Sequence, residues 1–218
     1  MKGNQDYQAV IFDMDGVIVD SEVRHERAFL EVARELGYGE THGVNWADYV
    51  GRSDHLLWLD FIANHRPAQS LAELIRLKSE RVIQIMRREQ PIYPGLMELI
   101  TKLSRVARLG LASGSDRPVV EAVLSLGDLR RFFPVSVTGA EVAQGKPAPD
   151  IFLRAADLLG AAPGDCWVIE DSKPGVAAGL AAGMRVIAIT NTHPAHELHQ
   201  ATQVVSNYAE IERLLLEA

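Results

Sequence analysis

The sequence predicts an α/β fold: a parallel sheet with helices on both faces, plus an inserted all-helical domain. Three observations lead there. Short apolar runs alternate with helical patterns over most of the 218 residues, residues 22–89 break that rhythm with helical patterns alone, and several apolar runs end abruptly in polar or ionisable side chains. Strands that alternate with helices pair most simply as parallel neighbours, each connection packing back across a face of the sheet.

The first apolar run is AVIF at 9–12. Further strands are expected at 109–112, 135–138, 166–169, 185–189 and 203–205. Helices are expected at 96–104, 118–126, 149–159 and 175–182, with a last one at 208–216. Together these make a Rossmann-like core. Three helices are expected inside the insert, over 23–36, 46–64 and 71–88. In the last of them Leu71, Leu74, Ile75, Lys78, Val82, Ile85 and Met86 keep mainly three- and four-residue spacing, so one face is mostly apolar. The expected division is a core of residues 1–21 and 90–218 carrying a helical domain of residues 22–89. Tyr93-Pro94-Gly95 marks the return to the sheet.

Composition narrows the class. The chain is 47% hydrophobic and 23% charged, as a soluble globular protein with one sizeable core would be. Lys and Arg total 22 against 29 Asp and Glu, a formal charge of −7, and no long basic run appears. That argues against nucleic-acid binding through phosphate neutralisation. Cys166 is the only cysteine, so no intrachain disulfide can form and a reducing compartment is natural. The polar start MKGNQDYQ carries no apolar leader. The most apolar later stretch, 175–189, is Gly-rich and broken by Arg185, short of the ~18 apolar residues of a membrane span. A cytoplasmic protein is expected, without nucleic-acid or membrane partners, working as a monomer or weak homo-oligomer.

The stretch AVIFDMDGVIVDSE sets Asp13, Asp15 and Asp20 directly after a buried run. Ligands of open α/β sheets bind beyond the carboxyl ends of the strands. At that edge the sequence puts Asp13 to Gly16 after the first strand, Ser113-Gly114-Ser115 after the second, and Glu170-Asp171-Ser172 after the fourth. Lys146 lies in GKPAPD, just before a helix. Converging carboxylates require a cation to hold them together. Asp13 and Asp171, with a backbone oxygen at Asp15, make a hard-oxygen site of the kind Mg²⁺ takes, its other positions filled by water and substrate phosphate. The cation offsets the mutual repulsion and lets an anionic phosphate approach an anionic nucleophile.

The four segments FDMDGVIVD, GLASGS, GKPAPDIF and IEDS resemble, in order and spacing, the motifs of the haloacid dehalogenase superfamily. The likeness is to its phosphatase and phosphomutase branch, which carries a helical cap after the first motif. The resemblance implies that Asp13 is the nucleophile that takes the phosphoryl group as an aspartyl phosphate, dividing one difficult transfer into two. Asp15 would protonate the leaving alcohol and then activate water. Ser113 would hydrogen-bond a phosphoryl oxygen and Lys146 would neutralise remaining charge. The implied metal positions are Asp13, Asp15, Glu170 and Asp171, with Glu170 acting directly or through water. Substrate contacts are implied for Gly16, His25, Arg52, Lys78 and Gly114. Branches that cleave carbon–halogen or carbon–phosphorus bonds lack an aspartate at the place of Asp15, so a phosphate ester or anhydride is favoured and haloacid dehalogenation is disfavoured.

The implied partner is a small phosphorylated metabolite, such as a sugar phosphate. Its choice belongs to the insert, because a lid touches the leaving group. His25 matches a hinge histidine and Lys78 a cap lysine of β-phosphoglucomutases. Gly51-Arg52-Ser53 resembles their substrate-contact loop, but Asp54 stands where they carry arginine. A Mg²⁺-dependent phosphatase is therefore the leading reading, a hexose-phosphate mutase the alternative, and a catalytically silent binding protein a third. Three features are read as structural. HPAHELH, with His193, His196 and His199, lacks H-E-x-x-H spacing and reads as a polar loop, not a zinc site. Trp46 and Trp58 read as core or domain-contact residues, and Cys166 as an inert strand residue.

Overall fold

The computed structural model describes residues 6–49 and 54–217. Ala9–Phe12 (β1) has all four side chains buried, as a strand covered on both faces requires. The other strands are Arg108–Ser113 (β2), Val135–Thr138 (β3), Cys166–Glu170 (β4), Arg185–Ile189 (β5) and Gln203–Val205 (β6). They form one six-stranded sheet in the order β3-β2-β1-β4-β5-β6, every neighbouring pair parallel.

Alternation along the strands feeds two cores. Val10 and Phe12 of β1, with Leu109, Leu111, Ile169 and Ile187, face one side. There they meet Leu96–Leu103 (α4), Arg117–Leu124 (α5) and Tyr208–Leu216 (α8). Ala9 and Ile11, with Ala112, Val137, Val168 and Val186, face the other side and meet Asp150–Leu159 (α6) and Lys173–Ala181 (α7). Cys166 is a free, buried member of this second core. Helix α7 begins two residues before the expected 175. Pro174 lies in its first turn, where a missing N–H costs nothing, and the Ser172 hydroxyl caps it by accepting from the Gly175 amide at 3.2 Å.

Order and direction together position the site. From β1 the chain winds outward through β2 and β3, then returns to β4 on the other flank and winds outward again. The ends of β1 and β4 therefore lie side by side at the point where the winding reverses, with Phe12 opposite Ile169.

Residues 22–89 hold Glu22–Glu35 (α1), Asp54–His65 (α2) and Leu71–Glu89 (α3), with no strand among their described residues. Phe29, Val32, Ala33, Leu57, Trp58, Phe61 and Leu74 form a separate apolar cluster. Val82, Ile85 and Met86, in the later turns of α3, instead join the core beside α5. The expected helix over 46–64 is corrected: Trp46–Asp48 is a single 3₁₀ turn and α2 starts at Asp54. Trp46 is drawn aside to Phe29, 6.3 Å between ring centroids. Phe61 is fully buried, edge-on to Tyr38 at 4.9 Å and Trp58 at 5.2 Å. Phe61→Ala is expected to cost about 3–5 kcal/mol, read as a lower urea midpoint.

Candidate active site

The turn after β1 is built to stop the strand and hold its carboxylates. The Met14 carbonyl accepts from the Ile18 amide at 2.8 Å, the Gly16 amide donates to the Val19 carbonyl at 2.9 Å, and Met14, Val17, Ile18 and Val19 are buried. Gly16 has φ +78°, and a Cβ there would overlap the Asp171 carboxylate. Only glycine meets both demands.

Asp13, 5% exposed, is tied to the end of β4 through its own amide, which donates to the Ile169 carbonyl at 2.9 Å. Its Oδ1 accepts from the Lys146 ammonium. Lys146 also donates to Glu170 Oε1 at 2.7 Å and lies 5.1 Å from the Phe152 ring centroid, so the loop before α6 delivers one cation between two strand ends. Glu170 Oε2 accepts from the Asp171 and Ser172 amides at 2.8 and 2.9 Å and from the Ser172 hydroxyl at 2.9 Å. Asp13, Glu170 and Asp171 each place one oxygen within 4.8 Å of the others. Since Glu170 uses both oxygens on hydrogen-bond donors, Asp13 and Asp171 are the members of this trio with an oxygen to spare among the described residues.

The Asp15 carboxylate is not in that trio. Its Oδ2 accepts from Ser115 Oγ at 2.8 Å and Ser113 Oγ at 3.3 Å, and its Oδ1 lies 3.3 Å from His25 Nε2. Lys78, with no exposed surface, is paired with Asp54 and lies 3.0 Å from His25 Nδ1. An ammonium has protons only to give, so His25 accepts at Nδ1 and turns an Nε2–H toward Asp15. The helical segment thus reaches the turn after β1 through a chain of polar groups running from buried Lys78 through half-buried His25 to Asp15.

Electrostatics divide these carboxyls into two sets. Burial, opposed by Lys146 and aided by Glu170 and Asp15, pushes Asp13 up to about 8. Burial and the charges of Glu170 and Asp13 push Asp171 well above its ordinary value. Burial alone would raise Asp15 as well, but the His25 imidazole beside it, with the Ser115 hydroxyl, holds it well below the usual range. Glu170 is likewise lowered: burial is overcome by the Lys146 charge and the amides of Ser172 and Asp171. Two carboxyls reluctant to ionise, beside one that is ionised, describe a place short of positive charge, which a metal ion would supply.

Of the residues singled out in the sequence, Asp13, Asp15, Ser113, Lys146, Glu170 and Asp171 meet at this edge. Gly16 lies against Asp171, and His25 and Lys78 reach Asp15. Gly114 follows Ser113, with no atom within 4 Å of where a Cβ would sit. Arg52, with Gly51 and Ser53, lies outside the described residues. Trp46 lies 5.5 Å from Lys78 Nζ and Trp58 is fully buried among the insert's aromatic rings. His196 and His199 are exposed, and among the described residues the only potential metal-binding cluster is the carboxylate trio.

A haloacid dehalogenase-like hydrolase family model matches residues 7–183. The chain belongs to that family. It is 34% identical over 201 residues to protein CbbY of Rhodobacter capsulatus, covering 83% of this chain and 84% of that one. It is 33% identical over 183 residues to hexitol phosphatase B of Escherichia coli strain K12, covering 83% and 82%. The crystal structure of a putative β-phosphoglucomutase from Thermotoga maritima superposes with a TM-score of 0.75 at 26% identity, over 97% of this chain and 99% of that one. The β-phosphoglucomutase-like branch accounts for both the sheet and the helical segment between β1 and β2.

Several residues at the site were given no role by the sequence. Ser115 gives Asp15 its shortest hydrogen bond, Gly175 leaves room for the Glu170 carboxylate, and Asp54 pairs with Lys78. Thr192 donates to Asp171 Oδ2. The strand-end rule applied to β5 points to Thr192, whereas reading HPAHELH for histidine spacing passes over it.

Proposed function

We propose that the protein hydrolyses the phosphate monoester of a small polyol or sugar, using Asp13 as nucleophile and Mg²⁺ as cofactor. The observation that carries this reading is the division of labour between two nearby aspartates: Asp13 is held by Lys146 within the carboxylate trio, while Asp15 sits apart in a pocket of hydroxyls and imidazole. A nucleophile and an acid–base group need such separate environments. The relatives agree in class, since one is named a hexitol phosphatase.

Asp13 attacks phosphorus, the bond to the leaving oxygen breaks, and Asp15 delivers the proton that makes the product an alcohol. An incoming phosphate dianion raises the pKa of Asp15, so the carboxyl can carry that proton at the moment it is needed. With the alcohol gone, Asp15 takes a proton from water, which attacks the aspartyl phosphate and restores Asp13. Lys146 holds Asp13 in place, and Ser113 Oγ, 3.3 Å from Asp15, lies where it can also bond a phosphoryl oxygen. Asp13 and Asp171 would hold Mg²⁺, whose hard-oxygen preference matches the trio, with Glu170 orienting the lysine and the metal side of the site; the ion supplies neutralisation of the phosphoryl charge.

Residues 22–89 act in this reading as a cap over a core of 1–21 and 90–218. Lys78, His25 and Asp15 form the link between them. Lys78 is fully buried and paired with Asp54, so it presents no free positive charge beside the leaving group. That suits a hydroxylated alcohol better than a second phosphate, and so favours hydrolysis of a monophosphate over a mutase cycle through a bisphosphate.

Incubation with hexitol, hexose and pentose monophosphates, with Mg²⁺ or with EDTA, tests the reading. Release of inorganic phosphate in Mg²⁺ alone is the expected result. Isomerised sugar phosphate without free phosphate would make the protein a mutase, and no turnover across the panel would make it a binding protein.

A further inference from the structure

The loop after β5 lies beyond the span of the family match, yet it makes direct contact with the carboxylate trio. Because Glu170 pairs with Ala188 in the sheet, the chain leaving β5 at Ile189 emerges beside Asp171. Thr192 Oγ1 donates its single proton to Asp171 Oδ2. His193 Nδ1 lies 3.0 Å from both Thr192 Oγ1 and the Asp171 carbonyl. A carbonyl only accepts, so Nδ1 carries the proton and donates toward both oxygens. Supplied in this way, the threonine hydroxyl is free to give its own proton to the carboxylate, each bond polarising the next.

The same loop holds the turn that carries Asp13 and Asp15. Asn191 Nδ2 donates to the Gly16 carbonyl at 2.8 Å and to Tyr208 Oη at 3.1 Å, and Tyr208 Oη donates to the Val17 carbonyl at 2.7 Å. Carboxylates from β1 and β4 are thereby referenced to one loop from β5.

We propose that Thr192, oriented by His193, is a positioning residue for the divalent cation: it occupies one oxygen of Asp171 and so presents the other, in a fixed direction, to the ion. The inference rests on the trio being a Mg²⁺ site. Outer hydrogen bonds of this kind are worth about 10–100-fold in metal affinity. A methyl group in place of the hydroxyl leaves Asp171 free to rotate and its Oδ2 without a partner. Serine keeps the hydroxyl at the same reach.

Titration calorimetry with MgCl₂ and no substrate separates the outcomes, with thermal unfolding in EDTA as the check that each variant is folded. Thr192→Val is expected to bind Mg²⁺ about 10–100-fold more weakly than wild type. Thr192→Ser should stay within about threefold, and His193→Phe should fall between the two. Equal affinity in wild type and a folded Thr192→Val overturns the positioning role while leaving the metal site intact. Equal losses in the serine and valine variants also overturn it, since the hydroxyl would then not be the determinant. Failure of wild type itself to bind Mg²⁺ overturns the metal reading and this inference with it.

Discussion

Asp13→Asn is expected to reduce phosphate release by about 10⁴–10⁶-fold, the range lost when a nucleophile is removed from an otherwise intact site. The amide matches the carboxylate in size and keeps an oxygen for Lys146, but it cannot form the acyl phosphate on which the proposed cycle depends. Binding should survive. Substrate affinity in the variant, measured by calorimetry or competition, is expected to stay within about tenfold, because Lys146, Ser113 and Asp15 remain. A variant that retained a tenth of the wild-type rate would remove Asp13 from the nucleophile's role.

The same substitution has a stability signature of definite sign. Asp13 is pushed up to about 8 from 3.8, and Asp171 is shifted in the same direction. Between the unfolded and folded values, the folded state holds protons that the unfolded chain has released, so stability falls as pH rises through that interval. Asp15 and Glu170 are shifted downward, and their contributions change only below about pH 4.5, near the unfolded carboxyl values. Without divalent cation, wild type is therefore expected to lose melting temperature from pH 5 to pH 8. Asp13→Asn should lose less over the same range, since one of the two raised carboxyls is gone. Saturating Mg²⁺ should raise the wild-type melting temperature more at pH 8 than at pH 5, because a cation binds the ionised carboxyls. A wild-type melting temperature that rose with pH in EDTA would contradict the charge arrangement described for the trio.

Most of the sheet was legible in the sequence for one reason: its strands are short apolar runs bounded by polar turns, so period and length agree. AVIF, VSVT, RVIAI and QVV fall where the sequence places them. The expected helix over 46–64 joins two segments that the structure keeps apart, the Trp46–Asp48 turn and α2. Trp46 and Phe61 instead pack on Phe29 from separate segments. At the site, Asp13, Ser113, Lys146 and Asp171 could be found from their places at a strand's carboxyl end or just ahead of a helix. Two kinds of residue could not be found that way. Asp54 matters through a partner 24 positions away that only tertiary packing supplies. Gly175 matters through the space it leaves, which no pattern of side chains announces.

Gly175→Ala is accordingly expected to do damage far beyond the size of a methyl group. A Cβ at this position would fall on the carboxylate of Glu170, nearer than real Cβ contacts come. The backbone there is ordinary helix, so alanine would cost nothing in an open setting and would even be favoured. Glu170 has nowhere to retreat: it is fully buried, and its hydrogen bonds with Lys146, the Asp171 and Ser172 amides and the Ser172 hydroxyl all depend on its position. Displacing it strands a buried charge, opens the first turn of α7 and removes from Lys146 the partner that aims it at Asp13. Loss of one partner from a buried ion pair typically costs about 3–5 kcal/mol. The variant is expected to lose that much in urea unfolding and about 10²-fold or more in turnover, the usual cost of a misplaced catalytic group. Gly164→Ala, where no atom lies within 4 Å of the added carbon, is the control and should stay within about 0.5 kcal/mol of wild type. If the two substitutions proved equally mild, Glu170 would have a second resting place, and the rigid link from Ser172 through Glu170 and Lys146 would not be what holds Asp13.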